Sequence, residues 1–143
     1  MPLKKRGFGQ GWHNGYGGKV KPGETLEDSA KRELFEESGV RALALEKRAL
    51  LTFVFLHTGK TIKSHIFWCG KFAGIPRETE EMQPFWFNFG SVPYAKMWPD
   101  DKFWFPKFLA GEKFTGRFEF LDDKPTIGRH KIKKGMLDKT PSV

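Results

Sequence analysis

Small and apolar residues recur every four positions from Leu26 to Ser38, the spacing of one face of an α-helix. Thr25, followed three residues later by Asp28, matches the capping-box pattern that begins helices. Gly39 stands where a glycine commonly ends a helix. The sequence therefore predicts a helix over about these residues.

Other segments have the patterns of strands. Leu50–His57 and Thr61–Cys69 are rich in β-branched and aromatic residues, and they flank the turn-like sequence Thr58–Lys60, which is typical of a hairpin. Phe85–Phe89 predicts a third strand. Residues 114–120 alternate between phenylalanine or glycine and polar side chains, as expected of a strand with one buried face.

The remaining segments combine loops with a short helix. The first eighteen residues hold six glycines, which predicts a loop. Asp100 is a residue type that caps helices, and the helix it would begin ends near Gly111, although Pro106 interrupts its pattern. Helices and hairpins together indicate the α+β class.

Length and composition indicate one domain in a reducing compartment. The chain has 143 residues, and its single cysteine, Cys69, excludes an internal disulfide. No apolar run approaches the ~20 residues of a membrane helix, and no secretory signal is readable in the first fifteen residues. We expect a soluble monomer in the cytoplasm, with mitochondrial and nuclear pools as alternatives.

The net charge of +8 is concentrated at the two ends. Residues 1–21 hold five basic and no acidic side chains, and residues 124–143 hold six basic and one acidic, while the segment between them is slightly acidic. We therefore predict a folded domain over 1–123 and a weakly ordered basic tail over 124–143. The alternative is that this tail binds nucleic acid or an acidic partner. We do not expect the function of the domain to require a nucleic-acid polymer.

Three carboxylates share one face of the predicted helix. Glu33, Glu36 and Glu37 stand at the spacings that bring helical side chains together, where like charges repel. A divalent cation such as Mg²⁺ removes that repulsion because it takes carboxylate oxygens together with substrate phosphates. Arg32 is placed to hold Glu24 or Glu36 by a bidentate pair. A solvated acidic helix face is the alternative reading.

The segment Gly18–Val40 resembles the Nudix box at all nine of its specified positions. The resemblance implies an α/β/α sandwich with a mixed β-sheet that hydrolyses a nucleoside diphosphate linked to a further group. It also implies Mg²⁺, with Mn²⁺ as the alternative, held by Glu33, Glu36, Glu37 and the carbonyl of Gly18. Glu33 and Glu37 are then the catalytic residues, and Glu37 orients or deprotonates the attacking water.

Further motifs resemble a branch of the Nudix family that acts on oxidised purine nucleoside triphosphates such as 8-oxo-dGTP and 2-hydroxy-dATP. They are Lys4–Gly9, Trp12–Val20, Glu81–Met82, Trp98–Asp101 and Phe103–Pro106. The implied reaction is water attack at the β-phosphorus, which yields the monophosphate and pyrophosphate and cleanses the nucleotide pool.

The same resemblance implies how the substrate is bound. Trp98 offers a plane for a purine to stack on, and Asp100 and Asp101 meet the edge of the base. Core packing is the alternative for Trp98, and helix capping is the alternative for one of the two acids. The implied substrate contacts also include Lys4, Phe8, Asn14, Phe53 and Met82, and Glu81 is implied as a further metal contact.

Two segments differ from the family pattern. The family places an apolar N-terminal strand before Lys4 that we expect this chain to lack, unless the sequence is a fragment or has an alternative start. The residues after Phe120 match the family's closing hairpin poorly. A weakly active or inactive nucleotide-binding relative is therefore an alternative function. Hydrolysis of another nucleoside diphosphate derivative is the other alternative.

Overall fold

The computed structural model describes residues 1–122 and 126–135. The chain folds into two compact units. The first unit comprises Met1–Glu46 and Cys69–Trp98, and the second comprises Lys47–Trp68 with the described residues from Pro99 onward. In these described ranges no helix is long and apolar enough to cross a membrane.

Two α-helices, six strands and two single-turn 3-10 helices, Phe89–Ser91 and Tyr94–Lys96, make up the regular structure of the described residues. The α-helices and strands are β1 (Leu3–Lys4), α1 (Leu26–Ser38), β2 (Arg41–Phe55), β3 (Lys60–Ala73), β4 (Met82–Gln83), α2 (Asp101–Leu109), β5 (Phe114–Phe120) and β6 (Ile127–Lys134). β1 pairs with β4, and the other strands form one sheet in the order β3-β2-β5-β6. This sheet is mixed because β5 runs parallel to β2 and antiparallel to β6. The predicted α+β class is confirmed.

Helix α1 begins and ends where its local sequence predicts. The Oγ1 of Thr25 accepts the N–H of Asp28 at 3.0 Å, which satisfies one of the free donors of the first turn. At the other end Gly39 has a φ of +78°, and its N–H donates to the carbonyl of Phe35. That left-handed conformation favours glycine, and it stops the helix after Ser38.

The core of the second unit lies between α2 and one face of its strands. Its buried members are Ala49, Leu51, Trp104, Phe108, Phe114 and Phe118. The predicted alternation of β5 is confirmed, since Phe114, Phe118 and Phe120 are buried. Gly116 lies between them, and a Cβ there would come within 2.9 Å of the Leu51 side chain. Close packing of β5 on β2 therefore requires glycine at this position.

The prediction of a strand at Phe85–Phe89 is wrong. Only Met82 and Gln83 pair in this region, with β1, and the following residue, Pro84, has no N–H to extend the ladder. The aromatic side chains have another role, because the rings of Phe85 and Phe87 pack edge-on against His13 at centroid distances of 5.3 and 5.1 Å.

The prediction of a weakly ordered tail over 124–143 is also wrong for those of its residues that the structure describes. Residues 127–134 form β6, which is anchored to the core of the second unit by Ile127 and Ile132. A shift in register between Phe118 and Phe120 places Ile127 on the buried face. This irregularity interrupts the two-residue alternation of buried and exposed side chains by which a strand is predicted from sequence. Residues 123–125 and 136–143 of the predicted tail lie outside the described residues.

Replacing the α1 cap tests whether this local signal stabilises the fold. Thr25→Ala removes the hydrogen bond to the Asp28 N–H and is expected to lower the free energy of unfolding by about 1 kcal/mol. Thr25→Ser retains an acceptor and serves as the matched control. Urea unfolding monitored by circular dichroism measures both variants, and equal stabilities would show that the cap does not contribute.

Candidate active site

Arg32 on α1 fixes the positions of three acidic side chains. Its guanidinium donates two hydrogen bonds to Glu24, at 2.7 and 3.0 Å, which is the bidentate pair that the sequence predicts. Its Nη1 also donates to Glu33 at 2.8 Å and to Glu36 at 3.2 Å. Its Nη2 donates to the backbone carbonyl of Lys19 at 3.1 Å. One side chain thus ties the acidic face of α1 to the loop before it.

Gly18 lies directly against the carboxylate of Glu33. A Cβ at position 18 would come within 2.5 Å of the Glu33 Oε1 and within 2.6 Å of its Cδ. These separations are far below a van der Waals contact, so only glycine lets the two groups approach. The loop backbone and a predicted metal ligand therefore meet, as the resemblance implies.

Glu37 is the buried acid of α1. Its side chain accepts the backbone N–H of Gly17 at 2.8 Å, and the residue is only 8% exposed. Burial, together with the negative charges of Glu33 and Glu81, raises the pKa of Glu37 to about 7, although the hydrogen bond from the Gly17 N–H opposes this. The nearby ammonium of Lys4 also acts to lower this pKa. A carboxyl group with such a pKa exchanges protons near neutral pH.

Glu81 approaches this region from the segment before β4. Both the Nε and the Nη2 of Arg6 donate to its carboxylate, at 2.8 and 2.5 Å, and these hydrogen bonds lower the pKa of Glu81. The segment is tied to α1 by Thr79, whose hydroxyl donates to the carbonyl of Glu37 at 3.0 Å. The charge of Glu81 is thus held where it acts on Glu37.

The predicted metal ligands belong to one region, but each faces a protein donor. Glu33 and Glu36 are paired with Arg32, Glu37 with a backbone N–H, and Glu81 with Arg6. Across residues 1–122 and 126–135, no three His, Cys, Asp or Glu side chains form a group arranged to hold a metal ion. The donor chemistry nevertheless fits a hard divalent cation, because these are carboxylate oxygens whose negative charges act on one another.

Trp98 is surrounded by two other aromatic rings of the first unit. The ring of Phe8 lies 4.9 Å from it at a tilt of 46°, and the ring of Trp12 meets it edge-on at 5.1 Å. Gly9 passes so close that a Cβ would lie 3.2 Å from the indole nitrogen. Phe8 is 66% exposed and Trp98 is half-buried, so this cluster offers aromatic surface to a ligand.

The other predicted substrate contacts differ in accessibility. In the first unit Asn14 is half-buried, and its Oδ1 accepts the N–H of Gly15 at 2.9 Å. Met82 is only 2% exposed and is a core residue. In the second unit Phe53 is half-buried, and its ring stacks on those of Phe118 and Phe120 at 6.1 and 6.0 Å.

Asp100 and Asp101 form a buried acidic pair at the start of α2. They are 2% and 6% exposed. Burial, followed by the negative charge of Asp100 and a hydrogen bond to it, raises the pKa of Asp101 to about 9. Burial also raises the pKa of Asp100, although hydrogen bonds, the first from the Trp104 indole, oppose this. At neutral pH Asp101 is therefore protonated beside Asp100, which gives a donor and an acceptor side by side.

Helix capping by the side chain of Asp100 is not observed. Asp100 occupies the residue before α2, but its carboxylate makes no capping bond. Instead its Oδ2 accepts the indole N–H of Trp104 at 2.7 Å. The role of Trp104 was not predicted from the sequence, although its position four residues after Asp100 is the helical spacing that brings such side chains together.

Comparison with known proteins gives the family. The model of the NUDIX domain matches residues 3–108. The chain belongs to the Nudix family. The resemblance stated for Gly18–Val40 is thus confirmed, and the match extends well beyond that segment.

Two relatives in this family carry the same name, oxidized purine nucleoside triphosphate hydrolase. The mouse protein is 48% identical over 122 residues, which cover 85% of this chain and 78% of the mouse protein. The zebrafish protein is 43% identical over 132 residues, which cover 92% of this chain and 84% of the zebrafish protein. The crystal structure of the mutator MutT protein from Bacillus halodurans superimposes with a TM-score of 0.80 at 23% identity, covering 98% of this chain and 90% of that chain. This likeness confirms the Nudix fold.

The raised pKa of Asp101 predicts how stability depends on pH. The folded chain retains on Asp101 a proton that the unfolded chain releases near pH 4, so the free energy of unfolding falls as the pH rises from about 4 to about 9. One proton gives a slope of at most about 1.4 kcal/mol per pH unit. Asp101→Asn removes this dependence, while its amide N–H still donates to Asp100.

We therefore expect Asp101→Asn to be more stable than the wild type at pH 8 and to show a flatter profile between pH 5 and pH 8. Urea unfolding at several pH values measures this difference. Glu80→Gln is the control because the Glu80 side chain is 86% exposed. An Asp101→Asn profile parallel to that of the wild type would contradict the assignment of the proton.

Proposed function

We propose that this Nudix protein hydrolyses oxidised purine nucleoside triphosphates to the monophosphate and pyrophosphate, with Mg²⁺ as its cofactor. The observation that carries the proposal is the buried pair of Asp100 and Asp101, which presents a hydrogen-bond donor and an acceptor together. A site that binds the edge of a modified purine needs both a hydrogen-bond donor and an acceptor. The name shared by the mouse and zebrafish relatives supports the same substrate class.

The acidic face of α1 is the proposed metal site. Glu33, Glu36, Glu37 and the carbonyl of Gly18 would hold Mg²⁺, or Mn²⁺ in its place, with Glu81 as a further ligand. The bound metal neutralises phosphate oxygens and lowers the pKa of water. Arg32 holds Glu33 and Glu36 on the loop side of the helix, which limits the rearrangement needed to bind the cation.

Glu37 is the proposed general base. It is buried, its pKa is raised to about 7, and the N–H of Gly17 fixes one of its oxygens. The other oxygen is left to take a proton from the water that attacks the β-phosphorus. Glu33, whose negative charge raises the pKa of Glu37, is the second proposed catalytic residue.

Recognition of the base is assigned to aromatic and polar groups. Trp98, beside the exposed ring of Phe8, is proposed to stack on the purine. Asp101 is proposed to donate to its edge and Asp100 to accept from it, and a proton moved between them would suit a differently modified purine. Asn14 is the proposed amide contact. Lys4, Phe53 and Met82 are the remaining proposed contacts.

Replacing the proposed base tests the mechanism. Glu37→Gln keeps the size of the side chain but cannot accept a proton, so kcat for pyrophosphate release from 8-oxo-dGTP should fall about 100- to 10,000-fold. Glu27→Gln is the matched control, because Glu27 is an exposed residue of the same helix that pairs only weakly with Lys31 at 3.4 Å.

The same assay with dGTP tests the substrate class. We expect wild-type kcat/KM for 8-oxo-dGTP to exceed that for dGTP at least tenfold. Equal rates would contradict the proposed substrate, and wild-type rates in Glu37→Gln would contradict the proposed base. Stabilisation by nucleotide without any turnover would instead favour a nucleotide-binding relative without activity.

A further inference from the structure

β6 carries a row of cations on one face. We name Arg129, Lys131 and Lys133 the β6 cation row. They alternate along the strand, and all three are exposed. Residues 127–134 contain four Lys or Arg residues and no Asp or Glu. The charge that the sequence places near the C-terminus is thus partly organised on a strand instead of distributed over an irregular tail.

The core of the second unit fixes which way this row points. On the opposite face of β6, Ile132 packs against the buried cluster, and the ring of His130 lies parallel to that of Phe118 at 5.7 Å. Because side chains alternate across a strand, the inward position of Ile132 directs its neighbours Lys131 and Lys133 outward. Alternate residues of a regular strand are about 7 Å apart, which is the spacing of Lys131 and Lys133, while Arg129 lies beside the register shift of this strand.

The register of β5 and β6 adds another cation to this face. Arg117 lies directly opposite Lys131, and Thr115 lies opposite Lys133. Like charges directly opposite each other destabilise a strand pair. The side chain of Glu119 pairs with Arg117 at 3.3 Å. In the part of the chain that the structure describes, no ion pair is formed by any member of the β6 cation row.

Among the residues that the structure describes, the cations of this face therefore outnumber its acids, and a polyanion would neutralise the excess positive charge. We propose that the β6 cation row binds the phosphate backbone of a single-stranded nucleic acid. Cations along an extended strand match a linear series of phosphates, and each contact releases a counterion. The proposal is independent of the proposed hydrolase function, since the polymer is bound and is not the substrate.

A membrane surface suits this face less well. Helices and strands that bind lipid place aromatic or aliphatic side chains beside their cations so that these enter the acyl layer. The residues of β5 on this face are Thr115, Arg117 and Glu119, all polar. The polar character of these β5 side chains and the charge complementarity of the row favour the backbone of a nucleic acid.

Fluorescence anisotropy of a labelled 20-nucleotide oligothymidylate, titrated with the full chain, tests this proposal. The test variant is Arg129→Gln/Lys131→Gln/Lys133→Gln. The matched control is Lys60→Gln/Lys63→Gln/Lys71→Gln on β3, the other edge strand of the same sheet, where all three lysines are exposed and the change in charge is identical. Vesicles of phosphatidylserine serve as the alternative polyanionic surface.

We expect the test variant to bind the oligonucleotide at least tenfold more weakly than the wild type and the control variant to bind within threefold of it. With about 0.7 counterions released per contact, the three cations should also contribute about 2 to the slope of log K against log salt, and the test variant should lose that contribution. Hydrolysis should be unchanged in both variants.

Three outcomes would overturn the proposal. The first is that the wild type does not bind oligothymidylate at about 50 mM salt, where backbone contacts are strong. The second is that both triple variants bind the oligonucleotide equally weakly. The third is that the chain binds the vesicles but not the oligonucleotide. The single variant Lys131→Glu checks folding separately. It creates a pair with Arg117, so its melting temperature should rise while its oligonucleotide affinity falls.

Discussion

The interaction on which the site depends is the set of hydrogen bonds made by the Arg32 guanidinium. A helix that carries several carboxylates on one face is destabilised by their mutual repulsion, and each of those groups has rotamers that lead into solvent. Arg32 contacts Glu24, Glu33 and Glu36 at once, and it also holds the Lys19 carbonyl of the preceding loop. Arginine suits this position because its planar fork has five donors, whereas lysine presents a point charge.

Both acidic centres are built by placing carboxyl groups where water does not solvate them fully. Glu37 in the first unit and Asp101 in the second have raised pKa values, in each case chiefly because of burial. The protein offsets the cost of burial with specific donors, namely the Gly17 N–H for Glu37 and the Trp104 indole for Asp100. Burial thus acts in the same way on a carboxyl group in each unit, which suits the proposed roles of Glu37 as a proton acceptor and of Asp101 as a hydrogen-bond donor.

Local signals were sufficient to predict α1 and β5 from the sequence. The helix is specified by its caps at Thr25 and Gly39, and β5 by a strict alternation with one buried face. β6 was missed because a register shift conceals the period of its apolar residues. Helical spacing was enough to predict that the acidic residues of α1 share one face. The pairing of Glu81 with Arg6 joins residues 75 positions apart and leaves no pattern in the sequence.

The central claim is that Arg32 prepares the acidic face of α1 for a divalent cation, and a Mn²⁺ titration monitored by electron paramagnetic resonance tests it most directly. Arg32→Lys keeps the charge but cannot make the same hydrogen bonds. Arg41→Lys is the control, because Arg41 lies over the ring of Phe35 at 4.8 Å. We predict that the wild type and the control bind Mn²⁺ with similar affinity and that Arg32→Lys binds it at least tenfold more weakly. Equal affinity in Arg32→Lys, or no Mn²⁺ binding by the wild type, would contradict the account.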